Sequence, residues 1–344
     1  MKIGIVGITG AVGKELLALI KERKFSFSEI RLFASNKSVG KKIKFKSKIY
    51  KIIKLDKKNL WGLDLVFFVA GSTVSKKFAT IASKNGSYVI DNSSAFRLNR
   101  NIPLIIPEIN SDALIKSNSR IIANPNCTTI ISLMGIKPLL NIQKIKRVVA
   151  TSFQSVSGAG NNGMDELLTN TKRFFSNKKS LNVVFDKNIT FNVIPKIGSF
   201  KSNGYTEEEI KFNNESRKIL NDKNILLSAT TVRVPVIRSH SISLNIEFKG
   251  RIEINKIKKE IIKFPGIDLI DNPKKNQFPT PIDSSNRDNC IIGRIRKDYS
   301  KNNSIWAWIV GDQIRKGAAL NAIQIAELLV CLLYTSPSPR DNTT

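Results

Sequence analysis

A single histidine occurs in 344 residues, so imidazole chemistry near neutral pH can fall only to His240. Cysteine is almost as scarce. Cys127, Cys290 and Cys331 form no CxxC pair, which excludes a disulfide framework and a cysteine-rich zinc site and fits a reducing compartment; a cytoplasmic, metal-free protein is expected. No apolar run approaches the roughly 18 residues of a membrane span. The opening MKIGIVGITGAVG turns glycine-rich within seven residues, unlike a signal peptide. Acidic residues are few: 27 Asp+Glu stand against 56 Lys+Arg, a formal charge of +29. Such charge could serve a nucleic-acid or membrane-surface binder. The lysines are scattered without interleaved aromatic motifs, as drift toward Lys, Ile and Asn codons produces, so neither partner is expected. The field should still steer anionic substrates.

What remains is an ordinary globular composition, 41% hydrophobic and 24% charged, over a length suited to two domains. KIGIVG (2–7), EIRLFAS (29–35), LDLVFFVA (63–70) and SYVID (87–91) read as buried strands. AVGKELLALIKER (11–23) and VSKKFATIASKNG (74–86) read as helices between them, and the alternation implies right-handed βαβ units in a doubly wound parallel sheet. From about residue 145, KRVVATSFQSVS, NIEFKGRIEI and SIWAWIVGD read as longer, one-face-exposed strands of an α+β domain. KGAALNAIQIAELLV (316–330) reads as an amphipathic helix returning to the first domain. The stretch 331–344, ending YTSPSPRDNTT, has no periodicity in its tail and two Ser-Pro steps; it reads as a non-native tail.

Gly7, Thr9, Gly10, Ala11, Val12 and Gly13 lie in the GITGAVG turn between the first strand and first helix. Glycines there allow positive φ and close approach of a pyrophosphate to the N–H groups of a helix start. The pattern is GxxGxxG, and its place after an N-terminal strand points to a dinucleotide. An NAD site puts Asp or Glu at the end of the second strand. Here stand Ala34, Ser35, Asn36, Lys37 and Ser38, whose hydroxyls and cation suit a 2′-phosphate, so NADP is expected.

Cys127 follows Asn124-Pro125-Asn126 and precedes the apolar run IISLMGIKPLL, which places its thiol near a helix N-terminus. Helix dipole and unpaired N–H groups there favour a thiolate nucleophile. The alternative, a small buried hydrophobe, is the reading given to Cys290. His240 is either a satisfied structural residue or an acid–base group. Arg233 and Arg238 nearby supply charge for an anionic substrate. Arg233 and His240 are seven apart and would face opposite sides of one strand unless Pro235 bends it. Thr206 and Glu209 form a capping box for a helix carrying Glu208 and Lys211 on one face, a pair that a solvated helix surface would equally explain.

Together NPNCTT, QSVSGAG (154–160), RVPVIRSHS, TGAVG (9–13), DNSSAFR (91–97), GYTEEEIK (204–211) and GAALNAIQIAE (317–327) resemble the aspartate-β-semialdehyde dehydrogenase family, in family order from residue 3 to about 328. The resemblance implies a Rossmann-type doubly wound parallel sheet, 1–125 plus 315–330, binding NADP, and a second α+β catalytic and dimerisation domain, 126–314. It implies reductive dephosphorylation of L-aspartyl-4-phosphate by NADPH on the way to lysine, threonine and methionine, in a homodimer or dimer of dimers. Cys127 would form a thioester, His240 would shuttle the proton and Gln154 would orient the intermediate. Arg233 would pair with the α-carboxylate, Glu208 with the ammonium, and Arg97 and Lys211 with the phosphate, with Asn126 also at the substrate. Ser157, Gly158 and Asn321 would touch the cofactor. N-acetyl-γ-glutamyl-phosphate reductase shares this chemistry, but its acylated substrate amine needs no partner like Glu208. Glyceraldehyde-3-phosphate dehydrogenase would carry an acidic residue after the second strand. A basic nucleic-acid-binding protein remains the non-enzyme alternative.

Overall fold

The structure, a computed structural model, describes residues 1–335. It divides into two compact units: Met1–Thr9, Gly13–Asn124 and Ala319 onward in one, Gly10–Val12 and Pro125–Ala318 in the other.

The first unit is built on β1 (Lys2–Val6), β2 (Glu29–Ala34), β3 (Lys42–Phe45), β4 (Lys48–Lys51), β5 (Ile53–Lys54), β6 (Leu65–Phe68), β7 (Tyr88–Asp91) and β8 (Ile121–Ala123). Between them lie α1 (Ala11–Glu22), α2 (Ser72–Lys84), α3 (Pro107–Asn110) and α4 (Asp112–Ile115). Six strands form a sheet in the order β5-β2-β1-β6-β7-β8, every neighbouring pair parallel, while β3 and β4 make a separate antiparallel hairpin. A parallel sheet covered on both faces demands apolar side chains at successive positions, which is why LVFF is buried throughout and Ile3, Ile5 and Phe33 are inaccessible. The order reverses between β1 and β6, so the turn after β1 opens at the switch point where doubly wound sheets bind ligands.

The second unit contains α5 (Cys127–Leu140), β9 (Ile145–Gln154), α6 (Gly160–Phe175), α7 (Glu207–Leu220), β10 (Leu226–Arg233), β11 (His240–Phe248) and α8 (Ile254–Lys263). It is completed by β12 (Ile267–Leu269), α9 (Pro281–Ser284), β13 (Cys290–Asp298) and β14 (Lys301–Gly311). Its mixed sheet runs β10-β9-β11-β14-β13-β12, with the β9–β10 and β12–β13 pairs parallel and the others antiparallel. Helix α5 packs on one face: a Cβ at Gly135 would stand 3.0 Å from Ile309 Cδ1 and 3.4 Å from Ile292 Cδ1, so glycine permits the close approach. The opposite face carries half-buried Phe153, Trp306 and Trp308, with the Phe153 and Trp308 rings 5.5 Å apart.

Three expectations are corrected. NIEFKGRIEI is not one strand: β11 ends at Phe248, and Ile254 opens α8, whose Ile257 and Ile261 are buried one turn apart. The alternation of that stretch straddles a strand end and a helix start. Residues 316–330 are not an amphipathic helix. A π-turn (Arg315–Ala319) leads into α10 (Leu320–Thr335), in which every residue from Leu320 to Ala326 except Gln324 is buried. Arg315–Leu333 is also, by length and composition, apolar enough to cross a membrane, although no such run was expected. More than half of it is buried within the protein, as in the core helix of a globular fold. In the first unit, α10 is held by a bidentate pair from Arg23 to Glu327 at 2.7 and 2.8 Å and by Gln324 donating to Glu108 at 2.8 Å. Of the expected non-native tail, residues 331–335 continue this helix and 336–344 lie outside the described residues. Cys290 is fully buried and Cys331 is exposed.

Candidate active site

Helix α5 begins on Cys127 because Asn126 caps it. Asn126 is extended, with φ −62° and ψ 143°, and its Oδ1 accepts from Thr128 N at 2.9 Å and Thr129 N at 3.2 Å. The other end of that side chain, Nδ2, donates to Glu208 Oε1 at 2.7 Å, and the Asn126 main-chain N–H donates to Glu215 Oε2 at 2.7 Å. Asn126, expected at the substrate, is thus engaged at both ends in tying the helix that begins on Cys127 to α7.

His240 is the first residue of β11, fully buried, with Nε2 3.4 Å from Cys127 Sγ. On its far side Nδ1 accepts the Ser155 main-chain N–H at 3.2 Å and lies 3.1 Å from Ser155 Oγ. A main-chain N–H can only donate, so Nδ1 is the acceptor and the neutral ring carries its hydrogen on Nε2, toward sulfur. Burial first, and then the nearby Arg233 charge, hold the imidazole well below its ordinary range. Behind Ser155 runs a buried chain: Ser155 Oγ to Ser157 Oγ at 3.3 Å, Gln313 Nε2 donating to Ser157 Oγ, and the Ser239 N–H donating to Gln313 Oε1 at 2.8 Å.

Arg233 and His240 do not share a strand. Arg233 ends β10, His240 begins β11, and the link reverses through Ser239 at φ 74°, so their seven-residue spacing sets no facing rule. Arg233 pairs in register with Gln154, donates from Nη1 to Ser155 O at 2.6 Å and lies over the Phe185 ring at 5.7 Å. Burial pushes its guanidinium down, while the charges of Glu208 and Cys127 oppose that shift. A Cβ at Gly158 would meet Arg233 Nη1 at 2.8 Å and His240 Cε1 at 3.3 Å, so Gly158 leaves room for both side chains. Gln154 is buried at the end of β9, its Nε2 3.2 Å from Ser152 Oγ.

Helix α7 carries Glu208 and Lys211, and the capping box at its start is formed by Thr206 and Glu209. Lys211 Nζ stands 3.4 Å from Glu208 Oε2. Cys127, His240, Gln154, Arg233, Glu208, Lys211, Asn126, Ser157 and Gly158 all belong to the second unit. Sequence reasoning missed four of their supports. Ser155 lies inside the QSVSGAG stretch, and Glu215 follows Glu208 by two helical turns on the same face, so both left a signal. Gln313 left none. Nor did Gly317, whose added Cβ would stand 2.9 Å from Cys127 Cβ.

In the first unit Gly7 has φ 97°, and the N–H groups of Gly7 and Ile8 bind Phe33 O at 2.9 and 3.1 Å. A Cβ at Gly13 would meet Gly7 O at 2.4 Å, so only glycine lets α1 start this close to β1. Thr9, Gly10, Ala11 and Val12 complete the turn, and the first turn of α1 holds no acidic residue that would repel an anion. Ser35, Lys37 and Ser38 lie on a short 3₁₀ turn after β2, with Ser35 and Lys37 exposed. Arg97 is buried and bound to Asn124 O at 2.9 Å and Asn92 O at 2.7 Å. Asn321, expected at the cofactor, is fully buried with Nδ2 donating to Ile105 O at 2.9 Å and Asn124 Oδ1 at 2.7 Å.

Residues 2–117 match the NAD-binding domain of semialdehyde dehydrogenases, and residues 136–316 match their dimerisation domain. Aspartate-semialdehyde dehydrogenases of Synechocystis and Aquifex aeolicus are each 43% identical to the chain, covering 96% of it and 97% and 98% of themselves. The crystal structure of aspartate semialdehyde dehydrogenase II from Vibrio cholerae matches with a TM-score of 0.92 at 40% identity, over 96% of this chain and 98% of that one. A second structure of that enzyme, complexed with ASA, gives 0.92 at 39% over the same shares. The Candida albicans enzyme, solved with NADP, shares the fold with a TM-score of 0.73 at 23% identity, over 96% of this chain and 98% of its own. With a thiol facing an imidazole at a helix start, a glycine turn at the sheet's switch point and relatives along nearly its whole length, the chain belongs to the aspartate-semialdehyde dehydrogenase family of oxidoreductases.

Proposed function

We propose that the protein converts L-aspartyl-4-phosphate, NADPH and a proton to L-aspartate-4-semialdehyde, phosphate and NADP⁺ through a thioester on Cys127, a step toward lysine, threonine and methionine. The observation that carries this reading is the 3.4 Å approach of Cys127 Sγ to His240 Nε2 at the first turn of α5. The helix terminus, the Nε2–H and the charge of Arg233 all favour a thiolate there. The thiolate attacks the acyl carbon, the carbonyl π pair moves to oxygen and returns as phosphate leaves, and the acyl group stays on sulfur. When bound, the nicotinamide supplies the hydride that reduces this thioester. Collapse of the resulting thiohemiacetal oxyanion frees the aldehyde and restores the thiolate.

Gln154 serves as a neutral donor that orients the intermediate without adding charge beside sulfur. Arg233, with one donor held by Ser155 O, turns its fork to the substrate α-carboxylate. Glu208, held by Asn126 on one oxygen, takes the ammonium, and Arg97 and Lys211 take the phosphate. The glycine cradle after β1 fits a pyrophosphate, and the absence of a carboxylate among residues 35–38, with Lys37 present, favours NADP over NAD. Ser157, Gly158 and the last helix complete that assignment by resemblance. Residues 1–125 with 315–330 would hold the cofactor, and 126–314 would carry catalysis and dimer contacts. The half-buried aromatic sheet face bearing Phe153, Trp306 and Trp308 supports a homodimer. A thiol nucleophile suits the reducing cytoplasm.

The test is phosphate-dependent reduction of NADP⁺ and NAD⁺ by aspartate semialdehyde and by its N-acetylglutamate counterpart. The wild-type protein should use aspartate semialdehyde with NADP⁺, and Cys127→Ala should abolish turnover without lowering the urea midpoint. Wild-type rates in Cys127→Ala would refute the thioester route, and preference for the N-acetylated substrate would refute the assignment.

A further inference from the structure

Among the described residues, the longest stretch without a helix or strand is 176–206, which joins α6 to α7. Irregular connections beyond about 15 residues are uncommon in compact domains and are usually functional. Two buried side chains of α6 hold this one. Asn170 forms a reciprocal pair with Leu181, donating from Nδ2 to its carbonyl and accepting its N–H on Oδ1, both at 2.8 Å. Glu166, one turn earlier, gathers three successive main-chain N–H groups. Its Oε2 accepts from Val183 at 2.9 Å and Val184 at 2.5 Å, and its Oε1 accepts from Phe185 at 3.4 Å. A carboxylate is costly to bury unless its lone pairs are met, so this anion and this backbone fix each other.

The segment they hold converges on Arg233. Ile194 and Arg233 exchange both main-chain bonds, at 2.9 and 2.8 Å, and the centre of the Phe185 ring lies 5.7 Å from the guanidinium carbon. Ile189, Ile194 and Phe185 pack with Val156 and Leu167 in one apolar cluster, which restrains the ring. Arg233 is 7% exposed, and Ser155 O accepts from its Nη1 at 2.6 Å. Its guanidinium is therefore held on one edge by a carbonyl and on one face by a ring. A π face attracts a guanidinium more strongly where water is scarce. We propose that Phe185 and Glu166 are positioning residues for substrate binding: Glu166 fixes the 183–185 backbone, Phe185 stacks on Arg233, and the guanidinium fork stands ready for the substrate's α-carboxylate. An arginine already ordered gives up little side-chain freedom when it pairs. The α-carboxylate takes no part in bond making, so the effect falls on binding and not on the chemical step.

This role rests on the pairing of Arg233 with the α-carboxylate proposed above, and steady-state kinetics of the full chain with aspartate semialdehyde, phosphate and NADP⁺ separates the two. Arg233→Leu should raise KM by about 100-fold or more. An unchanged KM there would overturn the carboxylate pairing and the role of Phe185 with it. Phe185→Leu keeps an apolar contact but has no π face; it should raise KM about tenfold with kcat within about twofold of wild type. If KM moves in Arg233→Leu but not in Phe185→Leu, the pairing stands and the stacking role falls. A loss of kcat at unchanged KM in Phe185→Leu would likewise overturn it. In the Arg233→Leu background, Phe185→Leu should change KM by less than about twofold, because its effect runs through the guanidinium. A further tenfold rise would show that Phe185 acts by another route. Glu166→Gln presents a donor where main-chain N–H groups need an acceptor, so it should raise KM about fivefold and add little to Phe185→Leu. Fully additive losses, or an unchanged KM in a Glu166→Gln protein with the wild-type urea midpoint, would sever Glu166 from Phe185.

Discussion

Asn126 allows two functions of one side chain to be separated. Its Oδ1 caps α5 through Thr128 N and Thr129 N, and its Nδ2 holds Glu208 at 2.7 Å. Serine caps a helix about as well as asparagine but is too short to reach Glu208, whereas alanine does neither. A buried carboxylate that loses a charge-assisted partner gives up about 1.5–3 kcal/mol. Glu208 is 7% exposed, and Lys211 remains 3.4 Å from its other oxygen, which places Asn126→Ser near the lower end, about 1.5 kcal/mol. Loss of the cap adds about 1 kcal/mol, so Asn126→Ala should cost about 2.5 kcal/mol. Both variants release Glu208 and should raise KM for aspartate semialdehyde about fivefold, with a smaller change in kcat, because the ammonium contact proposed for Glu208 would be alike in ground and transition states. Urea unfolding followed by circular dichroism reads the first quantity and steady-state kinetics the second. Equal destabilisation by serine and alanine would refute the capping account. An unchanged KM in both would refute the claim that Asn126 orients Glu208.

Two further perturbations probe the frame around sulfur and the aromatic sheet face. In Gly317→Ala the new Cβ would stand 2.9 Å from Cys127 Cβ and 3.3 Å from its Cα, so Cys127 must shift by several tenths of an ångström. Misplacement by 1 Å costs on the order of 100-fold in rate, so kcat should fall about 10- to 100-fold at similar KM; unchanged kcat would show that the π-turn does not position the thiol. Trp308→Glu sets a carboxylate beside Phe153 on the half-buried aromatic face of the second sheet and should turn the proposed dimer into monomers by sedimentation. A dimer that persists with wild-type stability would place the interface elsewhere.

Much of the fold was readable because each βα unit announces itself locally. LVFF is apolar at every position since both faces of its sheet are covered, and GITGAVG needs glycine because Gly7 adopts φ 97° and a Cβ at Gly13 would strike Gly7 O at 2.4 Å. The start of α5 and the capping box of α7 were legible for the same reason: caps are made by residues two or three apart. Where reading failed, a local pattern spanned two elements or ignored burial. Arg251-Ile252-Glu253-Ile254 alternates like a strand but leads into α8, and Leu320–Ala326 looks one-sided only until a core closes around it. The chain itself thus determined the elements, their order, the glycine-rich turn after β1 and the position of the thiol at a helix start.

Tertiary structure alone decided which distant groups meet. Cys127 and His240 lie 113 residues apart, and Glu215 reaches the Asn126 N–H across 89. Such contacts depend on the register of β9, β10 and β11 and on the packing of α5 and α7, and neither leaves a periodic mark in the chain. The same holds for the hydrogen on His240: residue type offers two ring nitrogens, and only the Ser155 N–H, delivered by folding, chooses between them.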